Sequence, residues 1–290
     1  MRCRFLTCDV FTDRRFGGNQ LAVLPEAEGL STGQMQAVAA EFNYSETTFV
    51  LPPTDPAHLA RLRIFTPKAE IPFAGHPTLG TALTLAWLGR APEAGEIVLE
   101  EPAGPVPVRL TPGSAELTAP AAPEHGPPLP TAPLASALAL AAGDILARGG
   151  LPCMASAGTE FLFVELGSRA ALARARIAGR SPELDKTGVF LFTRQGADPG
   201  FDLHARMFAP AFGIAEDPAT GSAAAALAGF LAGRPELADG WHGWSIAQGI
   251  EMGRPSRIDA RARRRDGRVV EIRVGGRAVP VAEGTIEVSA

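Results

Sequence analysis

Two stretches of this chain repeat each other. Arg63-Ile-Phe-Thr-Pro67 leads through a loop, Ala69 to Pro77, into an apolar run, Thr78 to Leu88, that ends at Gly89-Arg90. Arg206-Met-Phe-Ala-Pro210 leads through a loop, Gly213 to Ser222, into an apolar run, Ala223 to Ala232, that ends at Gly233-Arg234. The two Arg-x-Phe-x-Pro blocks and the two Gly-Arg ends stand at nearly the same offset, close to half of the chain. Two matches in one order at one offset point to two related halves, and internal self-similarity limits the fold more than any single motif does. The length of 290 residues agrees, since domains run to roughly 100–200 residues.

The two apolar runs carry no charged stripe, so each reads as a helix buried on every side. Short β-rich segments surround them, among them Ile97–Glu100, Val106–Leu110 and Val189–Phe192. A helix enclosed by short strands, once per half, predicts an α+β fold of two pseudo-symmetric β-rolls or barrels. Each is built around a central apolar helix, over 77–88 and 222–232. The halves are expected at 1–118 and 134–279, with a last strand from about 280 to 290 returning to the first. Between them, 119–133 carries prolines at 120, 123, 127, 128, 130 and 133, so it reads as a crossing that donates to no sheet ladder. A further helix is predicted over Thr32–Phe42. Strands at Ile258–Arg264 and Arg268–Val274 join at Asp266-Gly267, a strong hairpin signal, and a separate last strand is expected at Thr285–Val288.

Composition excludes several classes. Lys+Arg 27 against Asp+Glu 31 gives a net charge of −4, which attracts neither nucleic acid nor an anionic membrane. No apolar run is as long as a membrane span requires, and Met1 to Asp9 lacks a signal-peptide core, so the expected location is the cytoplasm. Cys3, Cys8 and Cys153 fall at no metal or disulfide spacing. Dinucleotide, Walker, Gly-x-Ser-x-Gly and His-Glu-x-x-His motifs are absent, so neither metal nor organic cofactor is expected. The Arg-rich segment Arg257, Arg261, Arg263, Arg264 and Arg265 reads as a solvated strand face rather than an anion patch.

The candidate chemistry gathers where the two buried helices begin. Free N–H groups and the positive dipole end make each start an anion site, with Pro77 opening the first helix and Thr220 or Ser222 capping the second. His76 directly precedes the first helix and Glu216-Asp217 precede the second, where an acid also serves as an ordinary dipole partner. Glu46 lies between the helix over 32–42 and an apolar strand; a carboxylate there is costly unless paired or used. Ser222 has no histidine at a supporting spacing, which argues against a hydrolytic nucleophile.

At these residues the chain resembles a known family. Asp9-Val-Phe-Thr-Asp13 with Phe16 to Val23, Ser45-Glu-Thr-Thr-Phe49, Phe65-Thr-Pro67 with Phe73-Ala-Gly-His-Pro77, Glu216 to Ser222 and Gln248 to Ser256 resemble the PhzF-like phenazine-biosynthesis family, in order and over nearly the whole chain. Gln20 departs from the proline that family usually carries. The resemblance implies a diaminopimelate-epimerase-like fold with the active site in the cleft between the halves. It implies Glu46 as the proton-moving acid, with His76, Asp217 and Ser222 on the substrate. Asn19, Ser45, Gly75, Thr220 and Gly221 stand inside the same motifs and complete the substrate-binding set, the N–H groups around Gly75-His76 and Gly221-Ser222 holding a carboxylate. Neither helix start has the cysteine that epimerases of this fold use, so two-thiol racemisation is not expected.

The expected function is that of a cofactor-independent isomerase moving a proton on a small cyclic amino or hydroxy carboxylate. A raised carboxyl pKa in a closed apolar cleft would suit that role. An epimerase or racemase of a small amino or hydroxy acid, and a binding protein with the same cleft but no turnover, are the alternatives. The resemblance also implies a homodimer.

Overall fold

The computed structural model describes residues 1–289. The chain divides into two compact units, Met1–Thr118 with the stretch from Gly275 onward, and Ala119–Val274. In the first unit the elements are β1 (Arg2–Val10), β2 (Asn19–Leu24), α1 (Thr32–Phe42), β3 (Glu46–Leu51), β4 (Ala60–Phe65), β5 (Glu70–Ile71), α2 (Gly75–Trp87), β6 (Gly95–Glu101), β7 (Gly104–Thr111) and β8 (Ser114–Thr118). In the second they are β9 (Glu124–His125), α3 (Thr131–Ala137), β10 (Cys153–Ser156), β11 (Glu160–Glu165), α4 (Arg169–Arg174), β12 (Gly188–Thr193), β13 (Leu203–Ala209), β14 (Ile214–Asp217), α5 (Gly221–Ala232), β15 (Gly240–Gln248) and β16 (Ser256–Arg265). β17 (Arg268–Glu287) ends the series.

The first unit is a closed barrel in the order β1, β2, β3, β4, β6, β7, β8, β17 and back to β1. β2–β3 and β4–β6 are parallel, while β1–β17, β1–β2, β3–β4, β6–β7 and β7–β8 are antiparallel. A parallel pair needs a crossover, and here the crossovers are the helices α1 and α2. The first of these helices forms where expected and opens with a capping box. Ser31 Oγ accepts from the Gln34 N–H at 3.3 Å. Gln34 Oε1 accepts from the Ser31 N–H at 2.8 Å. The central helix, α2, runs through the barrel against β1, β2, β3, β7 and β8, with every residue from Gly75 to Leu85 buried. Its lack of a polar stripe is therefore a requirement of its place.

The second unit repeats this plan. β10–β11 is antiparallel, β11–β12 parallel across α4, β12–β13 antiparallel, β13–β15 parallel across α5, and β15–β16 antiparallel. α5 packs on β10, β11, β15 and β16 and is buried except at Ser222. The α+β architecture of two similar rolls, each around a central apolar helix, is the one expected.

Several details differ from expectation. The helices start at Gly75 and Gly221, so His76 lies inside the first turn of α2 and Pro77 occupies its third position. Proline fits there because an N–H in the first turn has no helical acceptor to lose. Neither helix has a side-chain cap: Ala74 lacks a donor or acceptor, and the Thr220 hydroxyl, expected with Ser222 as a cap, turns to Asp217. The proline-rich stretch does enter a ladder, through Glu124 and His125, which follow Pro123 and pair with Ser156 and Ala155. Its end forms the start of α3.

Asp266 and Gly267 make the two-residue turn expected, both at positive φ, as a type I′ turn requires. Beyond it the two expected strands are one, β17, whose second part pairs with β1 from Val10↔Ala278 to Arg2↔Glu287. Arg264 is not on the solvated face. Strand alternation turns it inward, where Nη1 donates to the Ala232 and Arg234 carbonyls at 2.6 and 2.9 Å, at and just past the end of α5. No helix among the described residues is long and apolar enough to cross a membrane.

The enclosed helices leave no room for one more carbon at two places. A Cβ on Gly80 would stand 2.6 Å from Leu21 and 2.7 Å from Val10, and one on Gly229 would stand 2.6 Å from Ile272 and 2.7 Å from Pro123. Alanine raises helix propensity, yet the overpacking term outweighs it. Gly80→Ala and Gly229→Ala are each expected to lower stability by about 1–3 kcal/mol. Urea unfolding checks this, and a rise in midpoint for either variant would contradict the packing.

Candidate active site

In the first unit the parallel register Leu21↔Glu46 sets the start of β2, with Asn19 and Gln20, beside Ser45 and Glu46 at the start of β3. The first turn of α2 delivers His76 to the same end. Its Nε2 lies 3.5 Å from Glu46 Oε2 and 3.4 Å from the Gln20 carbonyl. The side chains of His76 and Glu46 are only 6% and 13% exposed. Burial drives the His76 pKa down to about 3, against a small opposing effect of the Gln20 carbonyl. The imidazole is therefore neutral. Both neighbours of Nε2 are acceptors, so the ring proton belongs on Nε2. Gln20 takes part through its carbonyl, a group that proline also possesses. Asn19 is buried, Ser45 half-buried and Gly75 buried, all at this end.

In the second unit, adjacent acids have different fates. Successive strand residues face opposite sides, and Glu216 pairs with Arg206 through two bonds, at 2.7 and 2.9 Å. Asp217 is buried and accepts the Thr220 hydroxyl at 2.5 Å. Gln248, also buried, donates through Nε2 to the Asp217 carbonyl at 2.8 Å and to Thr220 Oγ1 at 3.0 Å, and accepts the Thr220 N–H at 3.2 Å. Ser256 Oγ donates to the Pro218 carbonyl at 2.9 Å. Gly249 has φ +73°, and a Cβ there would stand 2.6 Å from the Pro218 oxygen. The segment Gln248–Ser256 is thus a cradle for the loop from Asp217 to Thr220.

The helix starts of the two units match in frame and differ in chemistry. Arg63 clamps Glu70 at 2.7 and 2.6 Å, as Arg206 clamps Glu216, and each guanidinium stacks over a phenylalanine two residues on, at 5.2 Å from Phe65 and 4.8 Å from Phe208. Both clamps tie the strand before the loop to the short strand within it. His76 and Ser222 both hold the second position of their helices. The registers Thr47↔Phe65 and Val189↔Phe208 place Gly188 where the first unit has Glu46. Only the first unit has a carboxylate at that position.

Sequence reasoning missed Arg63–Glu70, Arg206–Glu216, Glu101 and the part played by Gln248. The repeated Arg-x-Phe-x-Pro block held the clue to the arginines. Strand alternation in Ile97–Glu101 held that to Glu101, which turns inward while Glu100 accepts from the Thr54 and Asp55 amides and contacts His58. Among the described residues no group of three or more His, Cys, Asp or Glu is placed to hold a metal ion.

Comparison with known proteins agrees with this frame. The family model for phenazine biosynthesis-like protein, PhzC-PhzF, matches residues 8–284. An uncharacterized isomerase of Mesorhizobium japonicum is 40% identical, covering 97% of this chain and 98% of that one. The trans-2,3-dihydro-3-hydroxyanthranilate isomerase of Pseudomonas aeruginosa is 37% identical with the same coverage. The crystal structure of a PhzF-family phenazine biosynthesis protein from Bacillus anthracis superposes with a TM-score of 0.89 at 23% identity, covering 99% of this chain and all of that one. The chain belongs to the phenazine biosynthesis-like PhzC-PhzF family, and it is a PhzF-like isomerase.

Proposed function

We propose that the chain isomerises a small, cyclic, amino- or hydroxy-bearing carboxylate by moving one proton, without a metal or organic cofactor. Glu46 takes the proton from an activated carbon and returns it to another position of the same conjugated system. His76 and Asp217 hydrogen-bond the amino or hydroxyl group and fix the ring, with Asn19, Ser45, Thr220 and Ser222 beside them. The N–H groups of Gly75-His76 and Gly221-Ser222, which their helices leave without acceptors, take the substrate carboxylate at the positive dipole ends. A substrate of the class of trans-2,3-dihydro-3-hydroxyanthranilate, named for the Pseudomonas aeruginosa relative, carries all of these groups.

The observation that carries the reading is the Glu46–His76 contact at 3.5 Å between two nearly buried side chains, with the imidazole neutral. The neutral ring stands beside the carboxylate without the positive charge that would bind its electrons and weaken it as a base. Epimerisation needs a second proton carrier on the opposite face, and Gly188 stands where the second unit would supply an equivalent of Glu46.

Two outcomes follow. Glu46→Gln keeps the shape and removes the base, so solvent deuterium incorporation into the substrate falls by roughly 10²–10⁴-fold while the circular dichroism spectrum is unchanged; exchange near the wild-type rate would remove Glu46 from this role. His76 gives a stability signature. Its folded pKa, about 3, lies below the ordinary value of 6.5, so the unfolded chain binds the proton more readily between those values. Stability is therefore expected to fall as the pH drops from about 6.5 towards 3, and His76→Gln, which cannot titrate, reduces that slope in chemical denaturation.

A further inference from the structure

Glu101 and Gln248 occupy the same place in their two units. β4–β6 sets Ala60 against Leu99, and β13–β15 sets Leu203 against Ile246. Ala60 and Leu203 each lie five residues before the phenylalanine of the repeated block, and two residues beyond Leu99 and Ile246 stand Glu101 and Gln248. Both are buried, at 6% and 0% exposure. Each lies against the residue just before its central helix: Gln248 Oε1 receives the Thr220 N–H, and the Glu101 carboxyl stands beside Ala74. Each also meets a hydroxyl of that turn: Thr78 Oγ1 is 2.5 Å from Glu101 Oε1, and Thr220 Oγ1 is 3.0 Å from Gln248 Nε2. The cap that Thr220 does not provide comes from the neighbouring strand, and in the first unit the same strand position meets the first turn through the Thr78 hydroxyl.

Counting protons bears on the state of Glu101. The Thr78 oxygen lies 2.7 Å from the Ala74 carbonyl. It lies 2.5 Å from Glu101 Oε1. Its single proton can serve one of them. If that proton goes to the carbonyl, which has none to give, the contact with Glu101 needs a proton from Glu101. A protonated carboxyl then presents one acceptor and one donor, the pattern that the Gln248 amide presents in the second unit. We propose that Glu101 is a neutral carboxylic acid matched to the Gln248 amide, and that the two are positioning residues that set the first turns of α2 and α5 and thereby the placement of His76 and Asp217. Burial supports this by pushing the Glu101 pKa up to about 8, against the Thr78 and Ala74 contacts. The charged groups around it do not supply a compensating cation. Of those that line a cavity of about 330 Å³ with Glu101, Arg63 is committed to Glu70, Glu100 is held by backbone amides, and Arg61 is solvent-exposed. On the α2 side, His76 is neutral.

The effect on turnover rests on the proposed function; the effect on the helix starts does not, and the experiment separates them. Amide hydrogen exchange is followed at residues 74–78 and 220–224 in the wild type, Glu101→Gln, Glu101→Ala and Gln248→Ala, alongside kcat and KM for proton exchange. Glu101→Ala and Gln248→Ala should speed exchange at their own helix start by roughly 5- to 30-fold, the effect of a lost cap, and raise KM more than they lower kcat. Glu101→Gln, which imports the second unit's solution, should restore both. Its infrared difference spectrum against wild type at neutral pH should show loss of a protonated carboxylic acid band. The folded pKa of Glu101 lies above its unfolded value, so its stabilisation is full below about 4.5 and lost as the pH rises through about 8. This alkaline limb should vanish in Glu101→Gln. Should Glu101→Ala fail to fold, the Gln variant decides alone through its infrared band and alkaline limb. Unchanged exchange at 74–78 in Glu101→Ala, or a Glu101→Gln variant as impaired as Glu101→Ala, overturns the proposal. Absence of turnover in the wild type would overturn the proposed function and leave the exchange result standing.

Discussion

The structure depends on burying a helix inside a closed sheet. A barrel of eight short strands has no free edge, but its interior must be filled by something without unsatisfied polar groups. A helix meets that demand along its length, because its backbone groups bond within the segment, and fails it at its ends. The middle of α2 and α5 can therefore be apolar on every side, while the first turn needs partners or must open onto something that supplies them. Gln248 supplies a partner to the residue before α5, and Glu101 meets the Thr78 hydroxyl in the first turn of α2. The next N–H groups, at Gly75-His76 and Gly221-Ser222, are where the requirement of the fold becomes an opportunity for binding. Glycine at the first helical position in both units lets a ligand approach that backbone without a side chain in the way.

The two units separate what the frame needs from what the chemistry needs. The frame is kept: an Arg–Glu clamp beside each loop, a phenylalanine under each guanidinium, and a polar bracket under each helix start. The groups proposed for the chemistry are not kept. His76 answers to Ser222 and Glu46 to Gly188. Neither clamp is among the groups proposed for the chemistry. In the second unit, though, the clamp explains why only one of two adjacent acids is left for it. With Glu216 bound by Arg206 on one side of β14, Asp217 faces the other way, towards Thr220.

The duplication is legible because it is written in residue types that packing demands: a charge-free run long enough for a helix, a glycine-containing loop before it, and the same block at the same offset. Glu46 is legible for a related reason, since a carboxylate at the mouth of an apolar strand stands out against its surroundings. Glu101 does not stand out. It follows Glu100 in a strand whose other acidic residues face outward, and the alternation through Ile97 and Leu99 that turns it in is a single faint signal beside an adjacent acid. The contacts that hold the starts of α2 and α5 are illegible because they come from the strand that follows each helix, and local cap rules look only within the first turn. The merging of the last strands into β17 escapes for a different reason: Pro280 and Gly284 read as breaks, yet both are accommodated where the strand pairs with β1, Pro280 beside the register shift at Thr7/Cys8.

Burial acts in opposite directions on the two ionisable groups of α2's first turn and its bracket. It removes the positive charge from His76 and the negative charge from Glu101, so each is held in its neutral form. The turn therefore carries no net side-chain charge, and what remains is the partial positive charge of the helix start itself. An ionised Glu101 bonded at that point would offset the dipole and compete with any anionic ligand for it; a protonated one caps the turn and leaves the field intact. The same holds in the second unit, where Gln248 is neutral by its chemistry rather than by its surroundings. Neutral brackets under both helix starts are thus the arrangement that lets a buried turn be held in place and still attract a carboxylate.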